Sequence, residues 1–346
     1  MVTIRDIAKL THVSAATVSN VINGKPGAAS PEKTREILDA VQQLQYRPNY
    51  MARSLKSKRS HTIGILTEDL TVHQTPRIVT GVEQFCETCG YETVLADMRL
   101  YQRFGNHYDS NLEAQAAIFA SLMLSLHAKQ VEGVLYIGYH CRIVFNHPSD
   151  SHFPFVYTYC LPQNNAYPTV LFDEEQAGYA VAAALLSRGH RSLGLITGPV
   201  NSLNSRARLR GVQKALFDFD VPYNVDATIT GDWSRDSGYA AMGVLRKQGV
   251  TAVFAFSDEM AGGAFTYCMR HNIAVGKDLS LFGYDDSILA RSYLPELSTV
   301  SPPLQEMGRR AARLLIAQIN GEPVSSEPTL IPCELILRDS VHTLEH

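Results

Sequence analysis

The feature that most constrains the fold is a long series of short apolar, β-rich runs that alternate with helical stretches from residue 61 onward. Continuous apolar strands separated by helices are typical of parallel sheets covered on both faces. The runs form two series, which predicts an α/β body of two doubly wound parallel-sheet subdomains. The first series is HTIGIL (61–66), YETVLAD (91–97), GVLYIG (133–138) and FVYTY (155–159), and the second is TVLFD (169–173), SLGLIT (192–197), ATIT (227–230), AVFAF (252–256) and SLFGYD (280–285).

The first sixty residues differ from this body in their charge. They carry ten lysines and arginines against four acids, whereas the whole chain has 31 basic and 34 acidic residues. A basic head on an acidic body predicts a polyanionic partner for the head alone.

The basic head contains the pattern of three short helices. Thr3 and Asp6 predict a capped helix over about 4–10, and Ser14 can cap a second helix after a tight turn. Ser30, followed by proline and glutamate, opens a third helix. This all-α arrangement predicts a helix-turn-helix headpiece over residues 1–47 whose second helix lies in the DNA major groove. A small helical bundle with a merely solvated polar face is the alternative.

The second helix has an apolar stripe and an opposite face of small, uncharged side chains. Short side chains allow a helix backbone to approach base edges, so that Ala15 and Ala16 can meet a thymine methyl group and Asn20 can pair with adenine. Thr17, Ser19 and Asn23 are better placed for phosphates.

Residues 48–60 are predicted to form a hinge helix and linker. The segment is basic and too short to be helical alone, so a partner copy over a minor groove would have to stabilise it, with Leu55 as a wedge between base steps. A basic linker is the alternative.

The motifs TIRDIAKLTHVSAATVSNVING and TREILDAVQQLQYRPNYMARSLKS resemble the headpiece and hinge of the LacI/GalR family of bacterial repressors. The resemblance extends over essentially the whole chain and implies a dimeric transcriptional regulator. Asn20 stands where many members carry arginine, which indicates an operator different from theirs. The resemblance places Ala15, Ala16 and Asn20 at base-reading positions, Thr17, Ser19, Asn23 and Ser30 at phosphates and Leu55 at the intercalating hinge position, and the remaining predicted DNA contacts are Thr3, Ser14, Tyr50 and Arg53.

Polar residues follow the predicted strand ends of the body, where ligands of such sheets bind. Hydroxyl-binding groups together with the single tryptophan, Trp233, predict a sugar site. Each residue also has a structural interpretation: Asp258 could cap a helix beginning at Glu259, Asp285 could close a turn, and Trp233 could be core. The candidates from the residues alone are Asp69, His73, Gln74, Asp97, Asn204, Arg208, Trp233, Ser257, Asp258 and Asp285.

The family resemblance supports part of this set. ITGPVNSLNSRARLRGV matches the effector-arginine motif at Arg208, GDWSRDSGY the aromatic at Trp233, AVFAFSDEMAGGA the pair Ser257 and Asp258, and LFGYDD the aspartate at Asp285. Tyr159 stands where the family commonly has aspartate, which predicts an effector less hydroxylated than a simple hexose. The family crosses between its subdomains three times, and we place these crossings near 160, 290 and 320. This gives an effector-binding and dimerisation domain over 61–346, with one subdomain at 61–160 and 291–320 and the other at 161–290 and 321–346.

Other classes of protein are disfavoured. The chain has no G-x-x-x-x-G-K-[ST], no G-x-S-x-G and no G-x-G-x-x-G after a strand, and its histidines are not spaced as metal ligands, so we expect no enzyme, no cofactor and no metal site. Cys86 and Cys89 are interpreted as helix packing. A sugar-binding protein without DNA function is disfavoured by the headpiece and by the lack of a signal peptide. We therefore expect a cytoplasmic homodimer, with a tetramer left open, that binds double-stranded operator DNA and a sugar-like effector and does not contact a membrane.

Overall fold

The computed structural model describes residues 2–22, 24–46, 59–72, 74–105, 111–164 and 166–344 of the 346-residue chain. The chain divides into two compact units, Met1–Ser60 and His61–His346. Within the described ranges, no helix is both long enough and apolar enough to span a bilayer.

The first unit is the three-helix headpiece that the sequence predicts. Its helices are α1 (Ile4–Leu10), α2 (Ala15–Ile22) and α3 (Pro31–Gln43). Each begins at the predicted cap: Thr3 and Asp6 form a capping box, the Ser14 hydroxyl accepts from the Thr17 N–H at 3.0 Å, and the Ser30 hydroxyl accepts from the Lys33 N–H at 3.2 Å. The helices enclose a small core of Ile7, Ala8, Val18, Val21, Ile37 and Ala40.

The second unit contains a six-stranded sheet with the order β13-β7-β5-β3-β1-β2 among the described residues, and every adjacent pair in it is parallel. Its strands are β1 (Thr62–Thr67), β2 (Glu92–Asp97), β3 (Val134–Ile137), β5 (Phe155–Thr158), β7 (Thr169–Phe172) and β13 (Thr329–Ile331). A separate pair consists of β4 (Ile143–Val144) and β6 (Leu161–Pro162). The associated helices are α4 (Gln74–Thr88), α5 (Leu100–Phe104), α6 (Leu112–Ala128) and α11 (Leu304–Ile319).

A second parallel sheet has the order β11-β10-β8-β9. Its strands are β8 (Leu193–Thr197), β9 (Thr228–Thr230), β10 (Ala252–Ala255) and β11 (Ser280–Phe282). Its helices are α7 (Glu174–Leu186), α8 (Leu203–Asp218), α9 (Arg235–Leu245) and α10 (Asp258–Arg270), with short 3-10 turns at Val225–Ala227 and Arg246–Gln248. An antiparallel pair, β12 (Thr299–Ser301) and β14 (Glu334–Ile336), adjoins this sheet through a bridge from Phe282 to Ser298.

The sheets confirm two parallel-sheet subdomains, but all three crossings between the subdomains lie later in the chain than predicted. The strand Thr169–Phe172 pairs with β5 and β13 in the first sheet, so the first crossing follows Phe172 instead of lying near 160. The other crossings lie between β12 and α11 and between β13 and β14, later than the predicted positions near 290 and 320. Apolar composition predicts a buried strand, but hydrogen bonding decides which sheet that strand joins.

The extended segment 99–128 contributes two helices to the first subdomain. Helix α6 covers the sheet with Phe119, Met123 and Leu126, which pack in the same cluster as Tyr136 and Phe155. Cys86 of α4 is fully buried in the first-subdomain core, in agreement with its interpretation as helix packing, whereas Cys89 is exposed.

Candidate functional site

The outer face of α2 carries most of the predicted base-reading side chains. Ala16 is exposed, and Ala15, Ser19 and Asn20 are partly exposed, whereas Val18 and Val21 turn into the core. The periodicity of the helix therefore separates a buried apolar stripe from a surface of small, uncharged groups.

Hydroxyl groups among the predicted DNA-contacting residues also organise the helix starts. Thr3 donates to the Asp6 carboxylate at 2.7 Å, and the Ser14 and Thr17 hydroxyls are hydrogen-bonded to each other at 2.9 Å. Ser30 accepts from a backbone N–H at the start of α3. These hydroxyl groups therefore fix the starts of the three helices at the protein surface.

Several predicted site residues lie outside the described residues. They are Asn23, Tyr50, Arg53 and Leu55 in the headpiece and hinge, and His73 in the body.

The two subdomains of the body are joined directly at the predicted effector cleft. Asn204, in the first turn of α8, donates through Nδ2 to the Tyr159 hydroxyl at 3.1 Å. Tyr159 immediately follows β5 of the first sheet and has a left-handed backbone, φ 57°. Both side chains are buried, and the Asn204 Oδ1 atom has no hydrogen-bond partner among the described residues. Burial raises the pKa of the Tyr159 hydroxyl well above its ordinary value, so the phenol stays protonated.

Arg208, the predicted effector arginine, lies one turn further along α8, and each of its three guanidinium nitrogens donates to a protein group. Its Nε atom donates to Glu174 Oε2 at 2.7 Å and its Nη2 atom donates to Glu174 Oε1 at 3.0 Å, a bidentate pair. Its Nη1 atom donates to the carbonyl oxygen of Phe256. The guanidinium carbon lies 3.3 Å from the centroid of the Tyr284 ring, and the Tyr284 hydroxyl donates to Glu174 Oε2 at 2.5 Å.

Glycines explain why a glutamate on one helix reaches an arginine on the next. A Cβ atom at Gly178 of α7 would overlap the backbone of Arg208, and a Cβ atom at Gly211 of α8 would overlap the backbone of Glu175. The two helices therefore approach through their glycines, and this closeness holds Glu174 against Arg208 in an interior where both side chains are less than one-tenth exposed.

Asp285 and Gln74 approach each other from the two subdomains. A polar interaction with the Gln74 side chain, at the start of α4, acts to lower the pKa of the Asp285 carboxyl group. Burial raises the pKa of Asp285 well above its ordinary value; Arg208 opposes the shift, and Asp258 and Glu174 add to it. The backbone N–H of Asp285 donates to the Val300 carbonyl at 2.9 Å, so the chain after β11 is held against β12.

Ser257 and Asp258 lie beside this group, with different roles from each other. Ser257, not Asp258, caps α10, because its hydroxyl accepts from the Met260 N–H at 3.2 Å. Asp258 instead accepts from the Thr299 hydroxyl at 2.6 Å and from the Ser287 N–H at 2.8 Å. Burial raises its pKa to about 6, although these hydrogen bonds act in the opposite direction.

Trp233 is partly buried against the core of the second subdomain, with φ 72°. Its ring lies directly over Gly198, where a Cβ atom would overlap it. One ring surface therefore packs on the backbone that follows β8.

The two aspartates predicted at the first-subdomain strand ends make local bonds. The oxygens of Asp69 accept from the N–H and hydroxyl of Thr71 and from the N–H groups of Tyr101 and Gln102, so this carboxylate holds the turn after β1 and the start of α5. Asp97 accepts from the Thr67 hydroxyl at 2.9 Å. These bonds do not join Asp69 or Asp97 to the Tyr159–Arg208–Asp285 group.

Sequence reasoning missed the carboxylates that pair with the buried arginines. Glu174 stands in an acidic helix start, a pattern that ordinary helix capping also produces. Glu68 is fully buried and pairs with Arg142 at 2.7 Å, although Asp69 was the candidate chosen at this strand end. The sequence signal for Glu68 was its position directly after an apolar strand. A carboxylate at such a position is buried and needs a cationic partner.

Comparisons with known proteins agree with this architecture. Residues 3–49 match the family described as bacterial regulatory proteins, lacI family, and residues 182–341 match the periplasmic binding protein-like domain. The HTH-type transcriptional repressor PurR of Edwardsiella ictaluri is 31% identical over 346 residues, covering 99% of this chain and 97% of that protein.

Solved structures give the same result over nearly the full length. The lac repressor dimer bound to operator and the anti-inducer ONPF is 25% identical, with a TM-score of 0.75 and 99% coverage of both chains. The CelR–cellobiose complex is 28% identical, with a TM-score of 0.64, and covers 98% of this chain and 100% of that one. The chain therefore belongs to the lacI family of bacterial regulatory proteins, and it is a DNA-binding transcriptional regulator with a small-molecule-binding body.

Proposed function

We propose that this regulator represses transcription by binding an operator through α2, and that a sugar or sugar derivative in the cleft between the two body subdomains controls its operator affinity. The observation that carries the DNA half is the outer face of α2, where Ala16 and Asn20 lie opposite the buried Val18 and Val21. A helix surface of this kind can approach base edges, with the alanine against a thymine methyl group and the asparagine on adenine.

The operator is then a pseudo-palindrome read by a homodimer. Two copies of a helix-turn-helix bind half-sites about one helical turn apart, so the protein's two-fold axis is matched by the DNA. The lac repressor structure reported above is a dimer bound to operator, which supports this assembly. We place the protein in the cytoplasm, where it has access to the DNA.

The effector half rests on the polar groups that the two subdomains bring together. Tyr159 and Gln74 come from the first subdomain, and Asn204 and Asp285 from the second. Hydroxyl, amide and carboxyl groups suit a polyhydroxylated ligand, and Trp233 offers a ring against which a sugar face can stack. The cellobiose complex of CelR supports a carbohydrate class. We include Ser257 and Asp258 as supporting residues, because Asp258 neighbours Asp285.

Coupling between the effector cleft and the DNA-binding headpiece follows from the three segments that cross between the subdomains. A ligand that changes the spacing of the two subdomains moves the three connecting segments, and in a dimer this changes the separation of the headpieces. Such coupling between two sites is typically about 1–3 kcal/mol.

A gel-shift titration on the DNA upstream of the protein's own gene tests the DNA role. We expect a retarded complex whose association constant falls linearly with salt on a double-logarithmic plot, since lysines and arginines displace counterions from phosphates. A protein lacking residues 1–58 serves as the control and should not bind. Equal binding by the shortened protein would contradict the assignment.

Tryptophan fluorescence tests the effector role, since Trp233 is the single tryptophan in the chain. Neutral mono- and disaccharides are titrated into the full-length protein, and the operator complex is then assayed with any sugar that changes the emission. A sugar that alters both signals at the same concentration supports the proposal. A sugar that changes the emission without altering operator affinity would separate the cleft from regulation.

A further inference from the structure

We infer that the effector cleft selects an uncharged ligand and rejects sugar phosphates and carboxylates, because Arg208, the side chain that would bind an anion, is already paired with Glu174. This inference rests on the proposed effector function and specifies the chemical class of its ligand.

The hydrogen bonds of Arg208 show that its anion-binding edge is already paired. Glu174 covers its Nε–Nη2 edge at 2.7 and 3.0 Å, the Phe256 carbonyl accepts from Nη1, and the Tyr284 ring covers one face of the guanidinium. The Nε–Nη2 edge is a planar fork that binds phosphate or carboxylate with two parallel hydrogen bonds. Because this edge is paired, an incoming anion would have to displace the Glu174 carboxylate, which would then stay buried without its counter-charge.

Among the described residues around the site, Arg208 is the one cation, and it faces Glu174 and the carboxyl groups of Asp258 and Asp285. The other buried arginine of the described residues, Arg142, is paired with Glu68 at 2.7 Å. An anionic ligand would therefore enter a site whose positive charge is already balanced, and burial of an unbalanced anion is strongly unfavourable.

An unsatisfied acceptor in the cleft indicates what the ligand supplies instead. Asn204 is 6% exposed, and its Oδ1 atom has no hydrogen-bond partner among the described residues, while its Nδ2 atom is used by Tyr159. Buried acceptors in native proteins are almost always paired. A hydroxyl or N–H donor of the ligand satisfies Oδ1, whereas an ionised phosphate or carboxylate group placed at this position offers only acceptors.

The protein offers a matched pair of variants for the test. Glu174 and Glu175 are neighbours at the start of α7 and both pair with arginines of α8, but Glu174 faces the interior and the pair of Glu175 with Arg210, at 2.9 Å, is exposed. Glu174→Gln removes the buried negative charge with almost no change in volume, and Glu175→Gln makes the same change on the surface.

Inorganic phosphate, glucose 6-phosphate and ribose 5-phosphate are titrated into the full-length wild type and both variants, with Trp233 emission as the readout in the cleft. We expect no saturable response in the wild type or in Glu175→Gln at millimolar concentrations. Glu174→Gln should gain binding of at least one phosphate ester, about tenfold tighter or more, because the Arg208 fork becomes available. A Glu174→Gln/Arg208→Gln double variant should lose this gain.

Saturable binding of any of the three anions by the wild type would overturn the inference, and so would identical behaviour of the two single variants when both are folded by circular dichroism. If Glu174→Gln does not fold, the wild-type titration decides alone: saturation overturns the inference and its absence supports it. A parallel titration of the wild type with neutral mono- and disaccharides reports the proposed effector function separately, because a cleft that binds neither sugars nor anions contradicts that function, whereas anion binding contradicts only this inference.

Discussion

The amide of Asn204 and the hydroxyl of Tyr159 are joined by a 3.1 Å hydrogen bond that connects the second subdomain to the first. Tyr159 follows a strand of the six-stranded sheet, and Asn204 lies in the first turn of the helix that also carries Arg208. This contact links the two walls of the cleft, and the Gln74 side chain of the first subdomain lies near Asp285 of the second. A ligand in the cleft must either accommodate the bond between Asn204 and Tyr159 or replace it.

Tyr159→Phe should lower the free energy of unfolding of the body. The change removes the acceptor for Asn204 Nδ2 and leaves a buried amide N–H without a partner, which costs about 1–3 kcal/mol. We expect a lower urea midpoint with an unchanged dependence on denaturant. Tyr267→Phe, at a partly buried tyrosine within the second subdomain, is the control. A midpoint equal to that of the wild type would show that the bond does not contribute to stability.

Glu174→Ala should be strongly destabilising, by about 3–5 kcal/mol, because it leaves the Arg208 guanidinium buried without its counter-charge. The same change at Glu175 should cost about 0–1 kcal/mol, since its pair with Arg210 is half exposed and well solvated. Urea unfolding of both proteins measures the difference. Similar midpoints for the two variants would refute the view that the buried pair is structurally important.

The sequence predicted the headpiece well because its signals are local. Thr3, Ser14 and Ser30 are caps whose hydrogen bonds lie within three residues, and their helices begin where predicted. The nine predicted runs of the body coincide with strands, but β4, β6, β12, β13 and β14 were not predicted, because two or three residues do not make a recognisable apolar run. The assignment of the nine runs to sheets was less accurate: Thr169–Phe172 has the composition of any buried strand, and only its pairing with β5 and β13 assigns it to the first sheet.

The candidate effector group was predicted in part for a related reason. Asn204, Arg208 and Asp285 stand at recognisable positions after strands, and the structure brings them close to Tyr159. Glu174 was missed because its partner is 34 residues away and an acid at a helix start is usually a solvated one. Asp69 stays a prediction as an effector residue, and the structural role that the sequence did not reveal is its acceptance of four hydrogen bonds from a loop and a helix start.

Asp258 should make stability decrease as pH rises between about 4 and 6. Its folded-state pKa is raised from an ordinary value of 3.8 to about 6 by burial, so the folded protein holds a proton that the unfolded chain has already released. A group shifted in this direction favours folding below the lower pKa and loses that contribution as pH rises through the higher one. Its contribution over this window is about 2–3 kcal/mol.

The measurement is the urea midpoint as a function of pH for the wild type and Asp258→Asn. The asparagine variant should lack the decline that Asp258 produces, whatever its absolute stability. Asp232→Asn is the control, because hydrogen bonds from Ser234 lower the pKa of that exposed carboxyl group, the opposite direction. Parallel pH profiles for the wild type and Asp258→Asn would contradict the assigned shift.

Asn20→Ala should reduce operator affinity by about 1–3 kcal/mol, the usual contribution of a side chain that reads a base through two hydrogen bonds. Because Asn20 carries no charge, the salt dependence of binding should keep its slope while the curve moves to weaker affinity. Gln42→Ala, at an exposed position of α3, is the control and should leave both quantities unchanged. Gel shifts at several salt concentrations, on the operator and on random DNA, separate the two effects. Asn20 reads sequence if the loss is confined to the operator, and equal losses on both DNAs would instead assign it to the phosphate backbone.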